Sequence, residues 1–193
     1  MELPELLKKI GSILQKLEIP YVVTGGIAVS VWGRPRYTAD IDIAVELLPQ
    51  KLDVFSRELS RIGNDVYVDR NMMLRALLQK SEFNVIDPDS DLKIDFWILK
   101  GTPFDTSELE RRVKRKILGQ SIFFISPEDL ILRKLLWHTE SQSDKQLEDI
   151  ITVLRRQKKL DWPYLRKWSK KQGTGRILKG LKDQVKSRAY DLR

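Results

Sequence analysis

The sequence predicts an α/β protein: a mixed sheet flanked by helices over residues 1–125, followed by a C-terminal helical region over 126–193. Three observations predict it. Short runs rich in Val, Ile and Phe alternate with helix-periodic segments as far as "SIFFIS". After Ser126 the strand-like runs stop and only helical periodicity remains. The length, 193 residues with 41% hydrophobic and 32% charged, suits one α/β core with a smaller appendage and not a disordered chain.

The elements follow in order. Leu3, Leu6, Leu7, Ile10, Ile13, Leu14 and Leu17 recur at helical spacing and predict a helix over 2–17, stopped by Pro20. The alternating acidic, basic and apolar residues of this segment do not form a secretory leader. "YVVT" reads as a strand, Gly25-Gly26 as a turn, and "IAVSVW" as a helix ended by Gly33 and Pro35. "DIDIAV" alternates as a strand. Pro49 opens a helix over 50–62, and "DRNMMLRALL" is a short helix. "FNVID" and "LKIDFWIL" are strands joined by "PDSD". "FDTSELERR" is a short helix, and "KRKILG" with "SIFFIS" a strand pair. "SPEDLILRKLLWH" has a Ser N-cap, Pro at the first helical position and early acids, a strong helix start. Helices continue over 144–156, 161–171 and 174–189.

Composition excludes several chemistries. With no cysteine there is no disulfide, thiolate zinc site or Cys nucleophile, and the single histidine, His138, excludes a His-rich metal site. No apolar run reaches membrane-spanning length, so no membrane partner is expected and a cytoplasmic location is. The net charge of +8 is uneven: residues 155–193 carry 14 Lys+Arg against 3 Asp+Glu. Such a tail favours a polyanionic partner, nucleic acid first; the alternative is a solvated helix surface.

Two carboxylates stand inside an apolar strand. Alternate strand residues share a face, so Asp40 and Asp42 point one way while Ile41 and Ile43 point into the core. Neighbouring carboxylates repel, and a divalent cation removes the conflict. Mg²⁺ takes a few carboxylate oxygens and completes its shell with substrate phosphates; Mn²⁺ is the alternative. Asp95 falls on the polar face of "LKIDFWIL" in the same manner. Three converging carboxylates would hold two metal ions for in-line phosphoryl transfer. Gly25-Gly26, between a strand and a helix, would turn backbone N–H groups toward phosphate oxygens. The alternatives are water-facing edge-strand acids and a plain tight turn.

Gly25-Gly26, thirteen residues, Asp40-Ile41-Asp42 and a distant Asp95 resemble the nucleotidyltransferase superfamily typified by DNA polymerase β. Within it the chain is similar to the bacterial AbiEii-like group, which includes toxins of toxin–antitoxin systems. "SPEDLILRKLLW" followed by "SDKQLEDIITVL" looks like that group's helical motifs, with Lys134 and Asp149 as the carried-over pair. The resemblance spans roughly residues 20–155 and implies a polymerase β-like mixed sheet, an NTP substrate, Mg²⁺ on Asp40 and Asp42, and Asp95 as third ligand and base. It also implies an RNA acceptor such as a tRNA 3′ end, and an antitoxin partner if the chain is a toxin. Many members follow the glycines with Ser or Thr, where this chain has Ile27; Thr24 and Ser30 are the substitutes for that hydroxyl.

Other residues carry two readings each. Arg34 and Arg36 precede the acids and could neutralise a triphosphate, Arg36 being preferred because "RYTADID" resembles the family's entry to the acidic strand; the alternative is a solvated loop. Thr38 would orient that loop. Lys134 would meet a phosphate or snorkel to solvent. Asp149 would act as base or positioning group, or be a surface acid. The five tryptophans read as packing, with stacking on RNA open for Trp162 and Trp168. The competing function is a non-catalytic nucleotide- or RNA-binding module.

Overall fold

The computed structural model describes residues 2–88 and 92–190. Nine helices and six strands are found among them. In order these are α1 (Leu3–Lys16), β1 (Tyr21–Val23), α2 (Gly25–Trp32), β2 (Asp40–Val45), α3 (Leu52–Leu59) and α4 (Arg70–Gln79). Then come β3 (Glu82–Asp87), β4 (Leu92–Ile98), α5 (Pro103–Glu110), β5 (Val113–Ile117) and β6 (Gln120–Phe124). The helices α6 (Pro127–Ser141), α7 (Asp144–Arg156), α8 (Trp162–Lys171) and α9 (Gly175–Tyr190) complete the order. Of the turn expected at "PDSD", residues 89–91 lie outside the described residues.

The chain falls into two compact units. One comprises residues 1–27 and 37–125, the other residues 28–36 and 126–193.

The first unit is built on a mixed sheet of order β3-β4-β2-β1-β6-β5. β2 and β4 run parallel, as do β1 and β6; the remaining neighbours are antiparallel. Burial along β4 alternates strictly, with Ile94, Phe96 and Ile98 on the buried face beside Ile41, Ile43 and Val45 of β2. Phe83 stacks on Phe96 at 4.9 Å, and Phe55 of α3 meets Phe96 edge-on at 5.4 Å, a preferred aromatic geometry. α1 buries Leu6, Leu7, Ile10 and Leu14, one stripe at helical spacing. β5 and β6 form a hairpin whose two turn residues, Leu118 and Gly119, both have positive φ (47° and 81°), the twist-matched geometry for tight hairpins.

Two local expectations shift. The helix expected to follow the glycines begins on them, since α2 starts at Gly25. The helix expected over 50–62 is a 3-10 turn at Pro49–Lys51 followed by the shorter α3.

The second unit is helical. Ser126 caps α6: its Oγ accepts from the Asp129 N–H at 3.1 Å and donates to Asp129 Oδ2 at 2.6 Å. The fully buried Asp129 also accepts from the Tyr164 hydroxyl at 2.5 Å, and Glu128 accepts from the Asp161 N–H at 2.9 Å. These bonds fasten the start of α8 onto the start of α6.

Candidate active site

In the first unit, sheet pairing assembles what the sequence scatters. Antiparallel pairing sets Val23 opposite Ile43, so the β1–α2 junction lands beside Asp42 and the Thr24 N–H donates to the Asp42 carbonyl at 2.9 Å. Parallel pairing sets Asp42 directly opposite Asp95, and Asp40 opposite Lys93. Antiparallel β3 then adds Asn84 opposite Asp95 and Glu82 opposite Trp97. Because register partners share a face, Asp40, Asp42, Lys93, Asp95, Trp97, Glu82 and Asn84 form one polar row across three strands.

The row is electrostatically unbalanced. Burial, and then the charges of Asp95 and Asp40, push the Asp42 carboxyl above its ordinary range, against hydrogen bonds from the Trp97 side chain and the Gly26 backbone. Burial, then Asp95, push Glu82 upward as well. Lys93 supplies the local counter-charge: its Nζ lies 3.0 Å from Asp95 Oδ2, and that hydrogen bond raises the lysine.

Gly25 is where glycine is required. Its φ is +59°, and a Cβ there would lie 1.8 Å from Asp42 Oδ2 and 2.4 Å from Cγ. The Asp42 carboxylate therefore occupies the space a side chain would take. The Gly26 N–H, expected to face phosphate, instead serves Asp42. Thr24 is 3% exposed, and its Oγ1 has no hydrogen-bond partner among the described residues. Thr38 Oγ1 donates to the Asp40 carbonyl at 3.3 Å, tying the loop to the start of β2.

Asp40, Asp42 and Asp95 have the donor chemistry of a Mg²⁺ site, and the raised Asp42 marks a conflict that a cation would relieve. Among the described residues no group of three or more acids or histidines is gathered closely enough to enclose an ion by itself. The three carboxylates expected to converge thus share a face without closing on one ion, and a cation there would depend on substrate phosphates and water for its remaining positions.

The second unit holds a charge cluster of its own. Lys134 is 3% exposed; its Nζ lies 2.8 Å from Asp149 Oδ2 and donates to Gln146 Oε1 at 2.9 Å. Arg36 reaches the same carboxylate through two nitrogens, Nε at 3.2 Å from Oδ1 and Nη2 at 3.3 Å from Oδ2. Asp149 thus holds two cations rather than standing free as a base, and Lys134 does not snorkel. Ser30 serves this unit: its Oγ accepts from the Arg36 N–H and donates to the Arg36 carbonyl, both at 3.3 Å. It closes the Gly33–Pro35 loop.

Sequence reading overlooked Lys93, Glu82, Asn84 and Gln146, and took Trp97 for packing. The alternation Glu82-Phe83-Asn84-Val85 was the available signal for the first unit; only the β3–β4 register converts it into placement.

A family model described as "Nucleotidyl transferase of unknown function (DUF2204)" matches residues 4–173. No curated protein matches the chain. Among solved structures, the solution structure of the antibiotic-resistance factor ANT(2'')-Ia is similar with a TM-score of 0.51 and 15% identity, over 98% of this chain and 94% of that one. The crystal structure of ANT(2'')-Ia in complex with adenylyl-2''-tobramycin gives 0.50 and 15%, over 96% and 98%. The antigenic nucleotidyltransferase-like protein from Paracoccidioides brasiliensis gives 0.47 and 17%, over 78% and 75%. At such identities the likeness to the first two is one of fold.

Proposed function

The chain belongs to this nucleotidyl transferase family, and from that premise we propose that it moves a nucleoside monophosphate from an NTP to a hydroxyl at the 3′ end of an RNA, with Asp42 and Asp95 at the centre of the reaction. The observation that carries this reading is the register: Asp42 opposite Asp95, with the Gly25 bend packed on the Asp42 carboxylate.

In this reading Asp40 and Asp42 hold Mg²⁺ or Mn²⁺, with Asp95 as the third ligand. The ion, when bound, supplies charge stabilisation for the phosphates in the transition state. The chain's own groups do the rest. The acceptor oxygen forms a bond to the α-phosphorus, the bond from that phosphorus to the bridging oxygen breaks, and pyrophosphate leaves with its electron pair. Asp95 takes the proton from the acceptor hydroxyl, and Lys93 at 3.0 Å stabilises that carboxylate until it does. The Thr24 hydroxyl at the β1–α2 junction, without a hydrogen-bond partner among the described residues, suits a phosphate oxygen. In the second unit Arg36 and Lys134 share the Asp149 carboxylate, which holds both cations in place.

The AbiEii-like resemblance supports a toxin role with an antitoxin partner. Induced expression that arrests growth only with Asp42 intact tests it. The reaction itself is tested by incubating the protein with each α-labelled NTP, Mg²⁺ and total RNA. Label appearing in RNA with the native chain, and absent with Asp42→Ala, is the expected result. Label in small molecules or protein but never in RNA would replace the acceptor. RNA binding that survives Asp42→Ala, without transfer under any NTP, would make the chain a binding module instead.

A further inference from the structure

In the second unit, α8 and α9 leave a groove of about 250 Å³ between them. Its floor is apolar: the half-buried indole of Trp162 and the buried Leu178. Its edges are cationic. Arg166 and Lys170, one helical turn apart, line it from α8; Lys179 and Lys182, also neighbours at helical spacing, line it from α9. Among the described residues no acid lines the groove. Lys182 Nζ sits 3.9 Å from the Trp162 ring centroid, directly over the face a flat ligand would use.

An apolar slot with an aromatic floor and a row of cations on each side has a definite complement. The ligand must offer a flat, apolar-faced ring for the floor and anions on either side, repeated along a chain. An acidic peptide supplies the charges without the ring. A lone nucleotide supplies one ring with its phosphates on one side only.

We propose that the α8–α9 groove binds a single-stranded polynucleotide, one base stacked on Trp162 and the flanking phosphates held by Arg166, Lys170, Lys179 and Lys182. Lys182 acts as the cover of the slot. Its flexible stem lets the ammonium leave the ring for a phosphate when a base enters. The site needs neither nucleotide substrate nor metal, so it is independent of the transfer reaction; RNA and DNA share the required chemistry.

The test is fluorescence anisotropy of the full chain with labelled twelve-nucleotide oligo(U) and its DNA counterpart, without NTP or Mg²⁺, between 50 and 200 mM salt. Four phosphate contacts predict a slope of log affinity against log salt of about −3. Lys179→Glu with Lys182→Glu should flatten the slope by more than one unit. Trp162→Leu should weaken binding about 5- to 150-fold at unchanged slope, as loss of one stacked base does. Trp162→Phe, which keeps a ring, should recover part of the loss and guards against a folding defect. Tighter binding of RNA than DNA would assign the ribose a contact; equal binding leaves the shared chemistry as the ligand. Competition by polyglutamate as effective as by oligo(U), full affinity in Trp162→Leu, or no binding at 50 mM salt would each overturn the proposal.

Discussion

Gly25→Ala separates backbone strain from side-chain collision at the acid row. Two costs add. An L-residue held at φ +59° pays about 1–2 kcal/mol. The new Cβ also meets Asp42 Oδ2 at 1.8 Å, Cγ at 2.4 Å and Cβ at 2.7 Å, none of which real packing tolerates. The carboxylate must move by about an ångström, leaving its rotamer at a further cost of about 0.5–1.5 kcal/mol. Gly119→Ala is the control, because Gly119 has φ +81° with nothing within 4 Å of its added Cβ. At roughly 2–4 °C per kcal/mol for a chain of this size, Gly119→Ala should lower Tm by about 2–8 °C and Gly25→Ala by about 3–14 °C. Transfer should distinguish them further. An ångström of misplacement costs about 100-fold in kcat/KM, so Gly25→Ala loses that much and Gly119→Ala almost nothing. Combining Gly25→Ala with Asp42→Ala should recover part of the stability, but not all, because the Cβ contact at 2.7 Å persists. Differential scanning fluorimetry and labelled-NTP transfer read both quantities. Full transfer by Gly25→Ala, with a Tm no lower than that of Gly119→Ala, would refute the claim that glycine is there to admit Asp42.

Three further outcomes follow from the same geometry. Asp42→Asn should abolish transfer by about 100- to 1000-fold while raising Tm. The folded Asp42 carboxyl lies above its unfolded value, so ionisation disfavours the fold, and the gain appears only above the ordinary carboxylate range; melts at pH 3.5 and pH 7 check this. Asp149→Asn removes the carboxylate that Arg36 and Lys134 share and should cost about 3–5 kcal/mol, whereas Lys134→Met leaves the Arg36–Asp149 pair intact and should cost less; denaturant titration ranks them. Tyr21 is pushed above its usual phenol range chiefly by burial, so its contribution holds below pH 10 and is lost as pH rises through the folded value. Tyr21→Phe should therefore resist alkaline unfolding better than the native chain, while losing about 1 kcal/mol at neutral pH with the Gln15 hydrogen bond.

The fold was legible where a single periodicity ruled. β4 alternates without interruption, and α6 announces its start with Ser126, Pro127 and two acids, so both fall where the pattern puts them. The α2 start was misplaced because two glycines read as a turn, whereas the freedom of Gly25 is used for Asp42 to approach. Asp40, Asp42 and Asp95 were visible as acids in apolar strands, which is a local signal. Lys93, Glu82 and Asn84 were not, because their place beside Asp95 depends on strand register, a nonlocal property. Ser30 looked equivalent to Thr24 as a hydroxyl near the glycines; only the folded loop shows it spent on the Arg36 backbone. The pairing of Lys134 with Asp149 came from resemblance, and the second cation on that carboxylate, Arg36, came from the fold.

The central claim is that the row of Asp40, Asp42 and Asp95 holds a divalent ion together with an NTP. Electron paramagnetic resonance of Mn²⁺, titrated into the protein with and without a non-hydrolysable NTP, tests it directly. The native chain should bind Mn²⁺ weakly alone, because the three carboxylates do not close on one ion, and at least tenfold more tightly with the nucleotide present. Asp42→Asn and Asp95→Asn should each remove that enhancement. An enhancement that survives in both variants would place the nucleotide and its metal elsewhere and contradict the account.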